Sequence, residues 1–216
     1  MNRINYRKEL DTLISGLSAR PRLLLHSCCA PCSSYCLVYL LDHFDITCFY
    51  YNPNITDADE YEKRASELER LVGALNEEYS SRLTSGIPIQ VIRGDYEPDR
   101  FLDAVRSEDL AGCPEGGKRC EMCFSMRLKK AYDAALAGGF DYFTTTLTIS
   151  PLKDADLINR IGYGIADGGN VLWLPSDFKK KDGYKQSIEL SKKYGLYRQN
   201  YCGCDFSKKT REENYE

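Results

Sequence analysis

Two adjacent cysteines follow an apolar stretch near the start of the chain. Cys28 and Cys29 stand in the segment His26–Cys36, directly after the apolar residues 23–25. A disulfide between neighbouring residues would close a strained small ring, whereas two thiolates side by side suit a metal ion or a cluster. The alternative is that one of the two is a buried small apolar residue, a common fate of free cysteine. The pair favours a metal or cluster site over a structural crosslink.

A second pair, Cys120 and Cys123, stands at the start of a predicted helix. The helix has four apolar residues on one face: Phe124, Leu128, Ala131 and Ala135. Unpaired backbone N–H groups and the helix dipole at this end favour thiolates. Zinc, iron-sulfur and dithiol redox sites all use the Cys-x-x-Cys spacing. Together with Cys28 and Cys29 the pair supplies four thiolates, the usual number for a [4Fe-4S] cluster.

A third pair, Cys202 and Cys204, lies close to the C-terminal end of the sequence. A disulfide across one residue is a tight ring, and Gly203 provides the backbone freedom that such a ring requires. Strained, exposed disulfides are the labile and catalytic ones. We interpret this pair as a redox couple that passes two electrons inward. The alternative interpretation is one half of a zinc site.

The remaining cysteines have weaker claims to a function. Cys32 lies at the predicted start of a helix, where it could bind an additional metal or support a cluster. Cys36 and Cys48 are predicted to pack in the core, and no role is assigned to Cys113. The sequence has only two histidines, which excludes a histidine-rich metal site.

The elements that must position these cysteines alternate between apolar strands and amphipathic helices, without a linker or an internal repeat. Five strands are predicted: Leu23–His26, Ile46–Tyr51, Ile87–Ile92, Tyr142–Thr146 and Val171–Leu174. The clearest helix has apolar residues three or four positions apart: Tyr61, Ala65, Leu68, Val72, Leu75 and Tyr79. This alternation predicts one α/β domain with a doubly wound, mainly parallel sheet.

The segment after the first predicted strand is where such a sheet binds its ligands. Ligands collect at the carboxyl ends of the strands, near the point where the strand order reverses. Nucleotide-binding relatives of this architecture have a glycine-rich loop there, which cradles phosphate. This sequence has Cys28 and Cys29 instead. We therefore expect cysteine chemistry at this loop and no ATP site.

Length and composition agree with a single intracellular domain. A chain of 216 residues can bury a core without disulfides, and its ten cysteines fall in clusters. The first residues include no apolar leader, and no apolar run is long enough to span a membrane. We expect a cytoplasmic protein with no membrane partner. Residues 1–206 are predicted to form this single α/β domain, and residues 207–216 a charged tail.

Charge is distributed unevenly along the chain. The net charge is -3, yet Lys179–Arg211 has ten Lys and Arg against three Asp and Glu, a local charge of +7. Aromatic residues alternate with these charges, which suits RNA bases that stack on rings beside a phosphate backbone. A solvated helix surface is an equally good reading. The candidates for phosphate contacts are Lys179, Lys180, Lys181, Arg198, Lys208 and Lys209.

The motifs together resemble the cobalamin-independent epoxyqueuosine reductases (QueH). The resemblance covers most of the chain, and its first half consists of His26-Ser27-Cys28-Cys29-Ala30-Pro31-Cys32-Ser33, Tyr51-Asn52-Pro53-Asn54-Ile55 with Glu60-Tyr61 and Arg64, and Arg119-Cys120-Glu121-Met122-Cys123 with Arg127-Leu128. The second half consists of Phe143-Thr144-Thr145-Thr146-Leu147 with Ser150-Pro151 and Lys153, Asp177-Phe178, and Tyr197-Arg198-Gln199-Asn200-Tyr201-Cys202-Gly203-Cys204. No cysteine position departs from the pattern.

The resemblance implies a fold related to the pyrophosphate-loop ATPases (adenine nucleotide alpha hydrolase-like) without their phosphate loop. It also implies that four cysteines bind a [4Fe-4S] cluster: Cys28, Cys29, Cys120 and Cys123. Cys202 and Cys204 would form a redox-active disulfide. The implied substrate is epoxyqueuosine at the wobble position of a tRNA with a GUN anticodon. The implied reaction is its two-electron deoxygenation to queuosine, the last step of queuosine biosynthesis.

This reaction needs electrons, a group that polarises the leaving oxygen, and a proton. The electron donor is not identified by the sequence. As a hypothesis, Cys32 and Asp177 help to hold an additional mononuclear iron. Asp154, Asp177 or a loop tyrosine could donate the proton.

Two other functions remain open at this stage. One is a zinc-stabilised tRNA-binding module with a four-thiolate site: Cys120, Cys123, Cys202 and Cys204. This module would leave Cys28, Cys29 and Cys32 without a role. The other is a tRNA thiolation-type enzyme on the related ATPase fold, against which the missing phosphate loop argues.

Overall fold

A computed structural model describes residues 4–83 and 86–208. Its centre is one sheet of five strands: β1 Arg22–His26, β2 Asp45–Tyr50, β3 Gln90–Arg93, β4 Tyr142–Thr145 and β5 Leu172–Trp173. The strand order is β3-β2-β1-β4-β5, and every neighbouring pair is parallel. The predicted α/β domain with a parallel sheet is therefore confirmed.

Seven helices accompany the sheet in the described ranges: α1 Tyr6–Ser15, α2 Ala30–Leu40, α3 Ala58–Glu78, α4 Pro98–Ser107, α5 Lys118–Ala137, α6 Ala155–Ala166 and α7 Gly183–Lys193. The sheet has one apolar core on each face, because successive strand residues point to opposite sides. In β1, Leu23 and Leu25 join the core with α2 and α3, while Leu24 joins the core with α5 and α6. Helices cover both faces, so the sheet is doubly wound as predicted.

The third strand is the one whose position differs most from the prediction. Pairing with β2 begins at Gln90, not at Ile87. Pro88 has no backbone N–H to give to a sheet ladder, and Ile87 is exposed. The other four strands agree with their predictions within one residue at each end.

The strand order reverses between β1 and β4, and this point positions the candidate site. β1 ends at His26, which pairs with Thr145 at the end of β4.

Within the described ranges no helix is long and apolar enough to cross a membrane. Of the predicted charged tail, only Ser207 and Lys208 are described. Lys209 and the rest of the tail lie outside the described residues.

Candidate functional site

Three cysteine sulfurs lie together directly after β1. Cys29 is the N-cap of α2 and Cys32 lies in the first turn of this helix, so the turn brings both beside Cys28. The Sγ atoms of Cys28 and Cys29 are 3.8 Å apart, and all three sulfurs lie within 4.8 Å of one another. In the described ranges this is the one group of three or more metal-ligating side chains so close together. The triad, as we call these three cysteines, could hold a metal ion or a cluster.

Thr146 links the triad to the end of β4. The backbone N–H of Cys28 donates a hydrogen bond to Thr146 Oγ1 at 3.3 Å, and this hydroxyl lies 3.4 Å from Cys28 Sγ. Thr146 begins a short 3₁₀ helix, Thr146–Ile149. The loops after β1 and β4 therefore meet where the strand order reverses, as expected for a ligand site in this type of sheet.

Cys28 is the triad member that is best stabilised as a thiolate. Hydrogen bonds from the thiols of Cys29 and Cys32 lower the pKa of Cys28 well below its usual value, and the positive charges of Lys153 and Arg127 add to this. The same coupling raises the pKa of Cys29 to about 11. One negative sulfur is thus stabilised before any metal binds.

Cys120 and Cys123 lie in the first two turns of α5, which begins after the N-cap Gly117. The backbone N–H of Gly116 donates to Cys120 Sγ at 3.2 Å. Burial nevertheless raises the pKa of Cys120, and it raises the pKa of Cys123 to about 11. Burial therefore opposes the effect of the helix end on these two thiols, and thiolates at this pair stay a prediction. Binding of a metal would remove these protons.

Cys202 and Cys204 face each other across Gly203, with their Sγ atoms 3.6 Å apart. Gly203 has a φ of +115°, and a Cβ at this position would lie 2.7 Å from Ile55. Glycine is therefore required here. A hydrogen bond from the Cys204 thiol holds the pKa of Cys202 well below its usual value, while the same contact raises the pKa of Cys204. Cys202 is the more nucleophilic sulfur of the pair.

Two adjoining cavities connect the three groups of cysteines. The first cavity has a volume of about 360 Å³ and is lined by the triad and Cys202. The second has a volume of about 110 Å³ and is lined by both pairs: Cys120, Cys123, Cys202 and Cys204. Cys202, Arg127 and Lys153 line both cavities. All six predicted site cysteines therefore border one continuous region.

Arg127 is a site residue that the sequence indicated only as part of a motif. Its buried guanidinium donates to Asn52 Oδ1 at 2.5 Å and to His26 Nε2 at 3.3 Å, and lies 4.0 Å from Cys123 Sγ. Burial, together with the charge of Arg127, lowers the pKa of His26 to about 3, so this imidazole is neutral. The sequence offered one further indication of Arg127, its spacing. Arg127 follows Cys123 by four residues, which places both on the same face of a helix.

Lys153 is the second cation of the site, and the sequence likewise indicated it only as part of a motif, after Ser150 and Pro151. It lines both cavities. Burial opposes its charge, but the negative sulfurs of Cys28 and Cys202 outweigh burial and raise the pKa of Lys153. An isolated lysine has no periodicity, so its spacing alone gave no signal.

The two aspartates that were candidates for acid or metal chemistry have other contacts. Asp177 does not line either cavity in the described structure, and its carboxylate pairs with Lys179 at 2.9 Å. Asp154 borders the second cavity but caps α6, where it accepts from the backbone N–H groups of Asp156 and Leu157 at 2.9 and 3.3 Å. Neither arrangement favours the role considered for it.

The basic residues near α7 are largely paired. Lys179 and Lys180 face Asp177 at 2.9 and 3.7 Å, and Lys181 pairs with Asp11 at 2.6 Å. Arg198 is exposed and, unlike these three, lines the first cavity.

Comparisons with known proteins agree with these observations. The family model described as "Epoxyqueuosine reductase QueH" matches residues 23–210. A Staphylococcus epidermidis protein of this name is 44% identical over 95% of this chain and 85% of its own length. The corresponding Streptococcus pyogenes protein is 43% identical over 96% and 79%, and the Thermotoga maritima protein 35% identical over 89% and 93%. The predicted resemblance is confirmed, and the chain belongs to the epoxyqueuosine reductase QueH family.

Proposed function

We propose that this protein is an epoxyqueuosine reductase, an oxidoreductase that converts epoxyqueuosine at the wobble position of a GUN-anticodon tRNA to queuosine. The observation that carries the proposal is the convergence of seven cysteines on two adjoining cavities, in a chain of this family. The reaction is the last step of queuosine biosynthesis and takes place in the cytoplasm. Residues 1–206 form the reductase domain, and residues 207–216 are a tail.

Four of the cysteines fit a [4Fe-4S] cluster: Cys28, Cys29, Cys120 and Cys123. The donor atoms are all sulfur, which such clusters require, and they line adjoining cavities. Arg127 and Lys153 offset the negative charge that four thiolates bring. When bound, the cluster supplies one-electron transfer beside the substrate. Cys32, the remaining triad member, is the residue that would hold an additional mononuclear iron.

Cys202 and Cys204 supply the electrons. Oxidation of the two thiols to a disulfide forms one S–S bond and releases two electrons and two protons. Reduction of the epoxide to an alkene breaks two C–O bonds, consumes two electrons and two protons, and releases water. The two half-reactions balance. An external electron donor, not yet identified, then reduces the disulfide.

Lys153 stabilises the leaving oxygen. Lys153 lines the first cavity together with the triad and Cys202, and the negative sulfurs of Cys28 and Cys202 favour its charged form. A positive charge beside the substrate stabilises the negative charge that develops on oxygen as a C–O bond breaks. The first cavity therefore combines reducing sulfur with a cation.

Anaerobic reaction with tRNA tests this function. The protein is purified without oxygen and incubated with epoxyqueuosine-containing tRNA and a chemical reductant, and the nucleosides are analysed by mass. We expect loss of one oxygen atom from the modified nucleoside. The Lys153→Gln variant should lower kcat by roughly 10²- to 10³-fold. Lys129→Gln is the matched control, because Lys129 is exposed on α5, pairs with Asp133 and lines neither cavity.

Each outcome tests a separate part of the proposal. No conversion by protein with a full complement of iron would disprove the reductase assignment. Equal rates for the Lys153→Gln and Lys129→Gln variants would remove Lys153 from the mechanism but leave the reductase assignment intact.

A zinc-stabilised tRNA-binding module is the second candidate. The observation in its favour is that four cysteines line the second cavity together: Cys120, Cys123, Cys202 and Cys204. Such a protein would be colourless and would bind tRNA without altering it. The close sulfur contacts of the triad would then have no function. We therefore rank this candidate below the reductase.

A further inference from the structure

A large apolar side chain is exposed at the mouth of the first cavity. Leu152 has 63% of its surface exposed and lines this cavity beside Lys153. Pro151, which is also exposed, lines the same wall. Exposed leucines are common, but here the leucine stands next to the charged group that faces the substrate site. The position of Leu152 calls for a function in binding.

The turn that carries Leu152 is held at both ends. The backbone N–H of Leu152 donates to Ser150 Oγ at 3.3 Å, and that of Lys153 to the Ser150 carbonyl at 3.3 Å. The Lys153 carbonyl accepts from Lys179 Nζ at 3.4 Å, and Asp154 caps α6 immediately afterwards. The leucine therefore projects from an ordered turn, and little conformational freedom is lost when a partner packs against it.

Tyr184 and Arg198 complete the rim of this cavity. Tyr184 belongs to the first turn of α7 and has 37% of its surface exposed. Arg198 is exposed, and its guanidinium donates to Ser191 Oγ at 3.0 Å. One acidic side chain, Glu115, also lines the cavity. The rim thus combines an aliphatic residue, an aromatic ring and a cation, the combination that binds the faces and phosphates of unpaired nucleotides.

We propose that Leu152 and Tyr184 hold the two bases that flank the reacting nucleotide in a single-stranded RNA loop. The inference rests on the proposed function. A nucleotide that reacts inside a 360 Å³ cavity has to leave the stack of its neighbours. Leu152 fills the gap that this nucleotide leaves, and Tyr184 stacks against the base on the other side. The substrate is then recognised as a nucleotide within a loop and not as a free nucleoside.

Two substrates and matched control variants test this inference. The substrates are an anticodon stem-loop RNA that contains epoxyqueuosine and the epoxyqueuosine nucleoside alone. Leu152→Ala and Tyr184→Ala should each reduce kcat/KM on the stem-loop by about tenfold or more, and much less on the nucleoside. The control is Leu172→Ala, because Leu172 is 52% exposed on β5 and does not line the cavity. This control should leave both values unchanged.

A binding measurement supports the kinetic one and does not depend on turnover of the nucleoside. The stem-loop contains the fluorescent base 2-aminopurine next to the modified nucleotide. The fluorescence of this base reports how closely it stacks on its neighbours. The unaltered protein should raise this fluorescence on binding, because Leu152 separates the neighbouring bases. The Leu152→Ala variant should bind with a clearly smaller rise.

The possible failures can be told apart. If neither the unaltered protein nor any variant converts either substrate, the proposed function fails. If conversion proceeds but Leu152→Ala equals Leu172→Ala in rate and in fluorescence, the inference is wrong and the function stands. An equal loss on both substrates would mean that these residues act on the reacting nucleotide itself and not on its neighbours, which would also overturn the inference.

Discussion

The triad and the Cys202–Cys204 pair differ in how the fold holds them. The triad is held by the main chain: Ser27 N–H extends the strand pairing to the Phe49 carbonyl at 2.9 Å, and the Cys29 carbonyl accepts from Ser33 in α2 at 3.1 Å. In the pair, the main chain supports Cys204, whose carbonyl accepts from the backbone N–H groups of Ser207 and Lys208 at 3.0 and 3.1 Å, but Cys202 follows an irregular segment and is held by side chains. The Cys202 carbonyl accepts from Arg64 at 3.1 Å and from Asn54 at 3.3 Å.

This difference matches two kinds of chemistry. A cluster ligand has to keep its position, and a sulfur at the junction of a strand and a helix does so. A redox couple has to move, because a disulfide has a length of about 2.05 Å and the two sulfurs are 3.6 Å apart. Cys202, which is held by a few side-chain hydrogen bonds, can accommodate this change. The hydrogen bonds that hold each cysteine, and not residue type alone, therefore distinguish the cluster ligands from the redox couple.

The largest expected effect comes from the triad. Cys28→Ser should lower the affinity for the cluster by more than about 100-fold, because loss of a direct ligand exceeds the loss of its supporting contacts. The variant should be colourless, with little iron by anaerobic metal analysis. Cys48→Ala is the control, because Cys48 is buried in β2 away from both cavities, and it should retain its iron. Full iron in Cys28→Ser would mean that Cys28 is not a ligand.

The redox pair should show the opposite behaviour. Cys204→Ser should retain iron but lower turnover with tRNA by at least about tenfold, or about 1.4 kcal/mol in activation free energy. Iron analysis and initial rates on the same preparation provide the comparison. If iron is lost to the same extent as in Cys28→Ser, Cys204 is a ligand and the distinction between the two groups fails.

Removal of the guanidinium that holds the pair should have an intermediate effect. Arg64→Met leaves the Cys202 carbonyl with one donor and leaves Glu60 buried without its cation, at a cost of about 1–3 kcal/mol. The segment should open more often, so Cys204 should react with an alkylating agent about tenfold faster, as followed by peptide mass. Iron content should not change. Arg70→Met on the same helix, where Arg70 is exposed, should alkylate at the original rate.

A single exposed contact should matter least. Thr56 Oγ1 donates to Asp205 Oδ1 at 2.7 Å beside the pair. Thr56→Val removes this hydrogen bond, worth about 0.5–1.5 kcal/mol, and should accelerate alkylation of Cys204 less than Arg64→Met does. An equal or larger acceleration would show that Arg64 does not hold the segment.

The sequence predicted much of the fold and the cysteines, but it indicated the charges around them only as members of motifs, without a role. Strand and helix periodicities survive in this structure because each element buries one consistent face, as in α3. Clustered thiols are rare enough to be recognised. Lys153, Arg127 and Arg64 come from three distant elements, and an isolated basic residue has no periodicity. Only the folded sheet shows that they meet at one place.

A single-turnover reaction without added reductant tests the central claim most directly. The protein is prepared with Cys202 and Cys204 reduced and with a full complement of iron, and it is mixed anaerobically with epoxyqueuosine-containing tRNA. After one turnover, the mass of the peptide that contains both cysteines is measured by mass spectrometry. The account predicts one new disulfide, a loss of two hydrogen atoms, for each queuosine formed. Queuosine formation while both thiols remain reduced would contradict it.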